Sequence, residues 1–117
     1  MKALIIDDEI DICYLLSGIL KNKHIQPFCV NTLAEAANAL KTQDPEIIFI
    51  DNHLPDGMGV DYVQEIKKNK PLSKIILITA YDNASDRKRA EAAGVDFFIA
   101  KPFTRDTVYQ TVDLFTV

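Results

Sequence analysis

Four short apolar runs punctuate the chain: Ala3-Leu4-Ile5-Ile6, Ile47-Ile48-Phe49-Ile50, Ile75-Ile76-Leu77-Ile78 and Phe97-Phe98-Ile99-Ala100. None alternates with polar residues, so each predicts a strand covered on both faces. A fifth run, Ile25-Gln26-Pro27-Phe28-Cys29-Val30, carries a proline. Pro27 has no N–H to give a sheet ladder, which predicts an edge strand.

Between these runs the spacing becomes helical. Ile12, Leu16, Ile19 and Leu20 fall on one face of a first helix. Thr32 followed by Glu35 is a capping-box pair, and Leu33, Ala36, Ala37 and Leu40 follow it at helical spacing. Tyr62, Val63 and Ile66 mark a short third helix. Residues 84–93 predict a fourth, ended by Gly94. Its apolar face is mostly alanine, so little burial anchors it. Thr104 predicts the cap of a fifth helix bearing Val108, Val112 and Phe115. The rhythm predicts an α/β fold, (βα)5, a doubly wound parallel sheet with right-handed crossovers and helices on both faces. The flavodoxin-like strand order 2-1-3-4-5 is a known pattern for such sheets, and it puts the second strand at an edge, as Pro27 requires.

Length and charge narrow the function. The chain has 117 residues, which fits a single domain, 1–117. Thirteen basic and 17 acidic residues give a net charge of −4, which argues against direct nucleic-acid binding by this domain. No apolar run approaches the roughly 18 residues of a membrane helix, and the apolar N-terminal stretch is too short for a secretory signal. No membrane contact and a cytoplasmic location are therefore expected. Cys13 and Cys29 have no CxxC spacing and are read as two isolated, buried thiols, with a redox role as the lesser reading. His24 is read as a surface turn residue.

In open parallel sheets, ligands bind beyond the carboxyl ends of the strands. Here the first strand runs into Asp7-Asp8, the third into Asp51, the fourth into Thr79-Ala80 and the fifth into Lys101-Pro102. Four strands thus deliver polar groups to one sheet edge. Asp7 or Asp8 alone could simply cap the following helix. Taken together, three crowded carboxylates need a cation, or one must hold a proton. Oxygen-only ligands suit Mg2+. A carboxylate beside such an ion is also a nucleophile toward phosphorus, with Lys101 and Thr79 available to a phosphoryl oxygen.

These motifs, Ile5-Ile6-Asp7-Asp8-Glu9, Asp51-Asn52-His53-Leu54-Pro55-Asp56-Gly57-Met58-Gly59, Thr79-Ala80 and Lys101-Pro102-Phe103, resemble the receiver domain of two-component response regulators along essentially the whole chain. The resemblance implies that Asp51 is the phosphoacceptor. It implies that Asp8 binds Mg2+ directly, Asp7 largely through water, and the backbone carbonyl of His53 as a further ligand. It implies that Thr79 and Lys101 hold the phosphoryl group and that Lys101-Pro102 is a cis peptide. Phe98 falls at the switch-aromatic position, where tyrosine is common; a plain core phenylalanine is the other reading. Leu54 stands where methionine is frequent. His53 and Tyr81 fall at positions that tune how water reaches the acyl phosphate, and a bulky Tyr81 is expected to slow loss of the group.

The implied donor is a sensor histidine kinase or a phosphotransfer protein, and the implied output is a change of the fourth helix, fifth strand and fifth helix. A homodimer through that face is common in such domains. The run Asp86-Arg87-Lys88-Arg89 on the fourth helix is either a solvated face or a partner contact. The expected role is signalling rather than enzymatic turnover. Two other readings compete. A haloacid-dehalogenase-like phosphohydrolase shares the nucleophilic Asp, Mg2+ and Lys, but needs an Asp where His53 stands. A pseudo-receiver that binds protein without phosphorylation conflicts with the complete acidic set. The sequence shows no output domain; a stand-alone receiver and a piece of a longer protein are both compatible with it.

Overall fold

A computed structural model describes residues 1–81 and 83–115. Five parallel strands form one sheet: β1 (Lys2–Ile6), β2 (Gln26–Val30), β3 (Ile47–Asp51), β6 (Lys74–Thr79) and β7 (Phe97–Ala100). A two-stranded ribbon, β4 (His53–Leu54) and β5 (Gly57–Met58), lies in the loop after β3. The helices are α1 (Ile10–Lys21), α2 (Leu33–Leu40), α3 (Gly59–Asn69), α4 (Ala84–Ala93) and α5 (Arg105–Asp113). The sheet order β2-β1-β3-β6-β7 is the expected 2-1-3-4-5 of its strands, with Pro27 on an edge.

The continuous apolar runs are explained by two cores. Ala3, Ile5, Ile47, Phe49, Ile76 and Ile78 face α1 and α5. Leu4, Ile6, Ile48, Ile50, Ile75 and Leu77 face α2, α3 and α4. Alternate residues of each strand enter opposite cores, so no strand position in the centre can be polar. Burial is uneven among the helices: α4 contributes only Ala90 as a buried residue.

Local signals act as expected, with two differences. Thr32 Oγ1 accepts the Glu35 N–H at 3.0 Å, while Glu35 Oε1 accepts the Asn31 N–H at 3.0 Å and the Thr32 hydroxyl at 3.4 Å. Thr104 caps α5, and Gly94 ends α4 at φ 99°. The third helix is not short; it extends to 11 residues because Gly59 and Val60 begin it. The cysteines are not isolated thiols: Cys13 and Cys29 are paired as a disulfide, their Cα atoms 6.1 Å apart. Cys13 lies on the buried face of α1 and Cys29 on β2, so the chain's return from α1 to β2 brings together residues with no motif spacing.

Candidate functional site: an acidic pocket at the strand ends

Sheet register alone brings the acidic residues together. Ile6 of β1 pairs with Ile50 of β3, so Asp7 and Asp51 are the next residues on neighbouring strands. Thr79 pairs with Ala100, and the Lys101 N–H donates to the Thr79 carbonyl at 2.7 Å. The Lys101–Pro102 peptide is cis, as expected. Carboxylate oxygens of Asp7, Asp8 and Asp51 lie within 4.8 Å of one another. Asp7 and Thr79 are fully buried, Asp51 is nearly so, and Asp8 is exposed.

Lys101 reaches across the mouth of this group. Its Nζ is 2.9 Å from Glu9 Oε2, 3.1 Å from Asp7 Oδ2 and 3.6 Å from Asp51 Oδ1. Asp7 Oδ1 accepts the Glu9 N–H at 2.9 Å. Asp7 Oδ2 is buried and has no aligned hydrogen bond, only the nearby ammonium. The helix-cap reading of Asp7 and Asp8 does not hold, because the N-cap of α1 is Glu9 and no side chain caps it. A buried carboxylate oxygen left without a directed donor, beside two further carboxylates, fits a divalent cation held by Asp7, Asp8 and Asp51.

Burial pushes the Asp51 carboxyl up to about 6, with the neighbouring charge of Asp7 adding to it and that of Lys101 opposing it. Burial also raises Asp7, against the Glu9 N–H and Lys101. For Lys101, burial lowers the pKa, but its contacts with the Glu9 and Asp7 carboxylates and the field of Asp51 outweigh it, so the net shift is upward. The carboxylates thus favour the charged form of Lys101, while burial disfavours the charge on Asp51.

The loop after Asp51 is built for close approach. A Cβ on Gly59 would lie 2.3 Å from the Asp51 carbonyl oxygen, so only glycine fits. The Gly59 N–H donates to the Asn52 carbonyl at 2.9 Å, and buried Asn52 Oδ1 accepts the Val60 N–H at 3.0 Å. Asp56 accepts the Leu33 and Ala34 N–H groups at 2.9 and 3.0 Å, tying the loop to the first turn of α2. Those two N–H groups hold the Asp56 carboxyl below its ordinary range. Neither Asn52, Asp56 nor Glu9 had a role on sequence grounds. Each acts through a partner distant in sequence or through its position in a turn, which residue spacing does not reveal.

A scan against family models matches residues 3–113 to the response regulator receiver domain. The chain belongs to this family. Among curated relatives of the receiver, it is 36% identical over 101 residues to the response regulator protein PilR of Pseudomonas aeruginosa, covering 86% of this chain and 23% of that protein. It is 29% identical over 105 residues to the phosphate regulon transcriptional regulatory protein PhoB of Escherichia coli, covering 88% of this chain and 46% of that one. The receiver thus spans less than half the length of either relative. Among solved structures, the beryllofluoride-activated NtrC4 receiver domain dimer superposes with a TM-score of 0.92 at 33% identity, over 97% of this chain and 93% of that one. A two-component response regulator from Clostridium difficile gives 0.93 at 26% identity, over 97% and 93%. The domain is a phosphoacceptor signalling module of two-component systems, a family that typically binds Mg2+ at an acidic pocket, and neither competing reading gains support.

Two further residues of the receiver, His53 and Tyr81, border the pocket. Thr79 Oγ1 accepts the Tyr81 N–H at 3.0 Å. The His53 and Tyr81 rings meet edge to face, with centroids 4.8 Å apart, and both rings are exposed. Phe98 lies away from the carboxylates, on β7, half-buried against the core under α2, α3 and α4. Among the described residues, no helix is long and apolar enough to cross a membrane.

Proposed function

We propose that Asp51 of this receiver accepts a phosphoryl group from a phosphohistidine on a sensor histidine kinase or phosphotransfer protein. A carboxylate oxygen of Asp51 attacks phosphorus, the P–N bond breaks, and the leaving imidazole nitrogen takes a proton from solvent. The observation that carries this reading is the convergence of the Asp7, Asp8 and Asp51 carboxylates with Lys101 at 3.6 Å from Asp51. Asp7, Asp8, Asp51 and the His53 backbone carbonyl are the proposed Mg2+ ligands. When bound, Mg2+ neutralises negative charge between the acceptor and the incoming group.

The residues of the chain divide the remaining work. The burial that raises the Asp51 pKa also keeps water from the acyl phosphate it would form. Lys101, already positioned by Asp7 and Glu9, exchanges a carboxylate partner for a phosphoryl oxygen. Thr79 gives up the Tyr81 N–H and turns its hydroxyl toward the new group. Phe98 moves into the space vacated, and α4, β7 and α5 shift to a second arrangement. The receiver acts in the cytoplasm, is not a turnover enzyme and does not itself bind nucleic acid. Pairing through α4, β7 and α5 is the proposed dimer, in keeping with the dimeric NtrC4 receiver.

Incubation with acetyl phosphate and Mg2+ followed by intact-mass measurement tests this function. The wild type gains one phosphoryl group, and Asp51→Asn and metal-depleted protein gain none. Sustained hydrolysis of small phosphate esters, with no stable adduct, contradicts the signalling role.

A further inference from the structure

Phe98 does not rest free at the edge of the sheet. It sits on β7 in register with Leu77, and Arg87 of α4 places its guanidinium carbon 4.5 Å from the ring centroid. Beside them a groove of about 270 Å³ between α4 and β7 is lined by Arg87, Ala90, Glu91, Val95 and Phe98. A guanidinium over an aromatic face is attracted by the ring quadrupole, and its planar shape also shields apolar surface from water.

The contact matters because of what surrounds it. Ala90 is the sole buried residue given to α4, so apolar packing holds this helix weakly to the sheet. Phenylalanine also lacks the hydroxyl with which a tyrosine would find water in the outer position. An uncovered Phe98 ring would lose little by turning inward. We infer that Arg87 is a latch on Phe98: it stabilises the outer ring position and so sets how far the resting receiver lies from its switched arrangement. This rests on the reading of Asp51 as acceptor and of Thr79 and Phe98 as the switch. Arg87 is a positioning residue here, acting through Phe98 and not on the phosphoryl group.

In the proposed switch Thr79 releases the Tyr81 N–H and Phe98 leaves the Arg87 face. Any free energy in the cation–ring contact counts for the resting state alone, and its loss shifts the population toward the switched state. A contact of this kind at a half-exposed site corresponds to about a two- to five-fold change in that equilibrium.

The test measures beryllofluoride affinity in the presence of Mg2+ for wild type, Arg87→Ala and Arg87→Lys, each with Phe98 and with Phe98→Leu. Phenylalanine ring NMR of the resting proteins is recorded in parallel. Arg87→Ala is expected to bind beryllofluoride about two- to five-fold more tightly. Arg87→Lys, which keeps the charge without the planar stack, should show part of that gain. In the Phe98→Leu background, the gain from Arg87→Ala should be clearly smaller. Unchanged or weaker affinity, an equal gain without Phe98, or unmoved Phe98 ring resonances in resting Arg87→Ala overturns the latch. Failure of the wild type itself to bind beryllofluoride, with ring resonances that do respond to Arg87, instead overturns the acceptor reading on which the proposal depends.

Discussion

Asp51 lies where its own charge is disfavoured. Its carboxyl titrates at about 6 in the folded metal-free protein, against 3.8 in an unfolded chain. The folded state therefore holds a proton that the unfolded state has released across that window. Stability from this group is fully present below about pH 3.8 and is lost as pH rises through about 6. An asparagine at position 51 removes the penalty, so Asp51→Asn should be the more stable protein at neutral pH, by on the order of 1–3 kcal/mol. Urea unfolding in chelator at several pH values checks this. The advantage of the variant should be small below about pH 4, grow as pH rises through about 6 and level off above pH 7. Also at this scale, Tyr81 meets His53 ring to ring beside the acceptor and is expected to shield an acyl phosphate from water. Tyr81→Ala should lose the phosphoryl group several-fold faster, followed by the decay of phosphorylated protein after donor removal; an unchanged half-life contradicts the shielding role.

Among the elements, the loop from β3 to α3 does most to position the site. Gly59 allows α3 to start against the Asp51 carbonyl, and backbone cannot yield as a flexible side chain does. Gly59→Ala should therefore destabilise the protein by about 1–3 kcal/mol and reduce phosphoryl uptake together, measured by thermal unfolding and by intact mass. The presence of a glycine here was visible in the sequence; the reason for it was not, because the clash involves backbone eight residues away. The same holds for Asp56. Its side chain caps a helix that precedes it in the chain by more than 20 residues, and no periodicity or local motif announces such a contact. By contrast, Thr32, Thr104, Gly94 and Pro27 act on their immediate neighbours, and their positions predicted element ends and an edge strand correctly.

At the scale of the whole molecule, the parallel sheet converts chain order into chemistry. Continuous apolar runs were legible as doubly covered strands, and with the strand order they placed Asp7, Asp51, Thr79 and Lys101 at one edge. Distances were not legible: that Lys101 leans closer to Glu9 and Asp7 than to Asp51 depends on side-chain burial and competition among carboxylates. Nor was the Cys13–Cys29 pair, which forms only once α1 has returned the chain to β2. At this edge one phosphoryl group is expected to reach one carboxylate. Borohydride reduction of protein treated with acetyl phosphate and Mg2+, followed by peptide mapping, tests it most directly. Reduction of an acyl phosphate converts aspartate to homoserine, and homoserine is expected at position 51 and nowhere else. Homoserine at position 7 or 8, or none in protein that has gained a phosphoryl group, would contradict it.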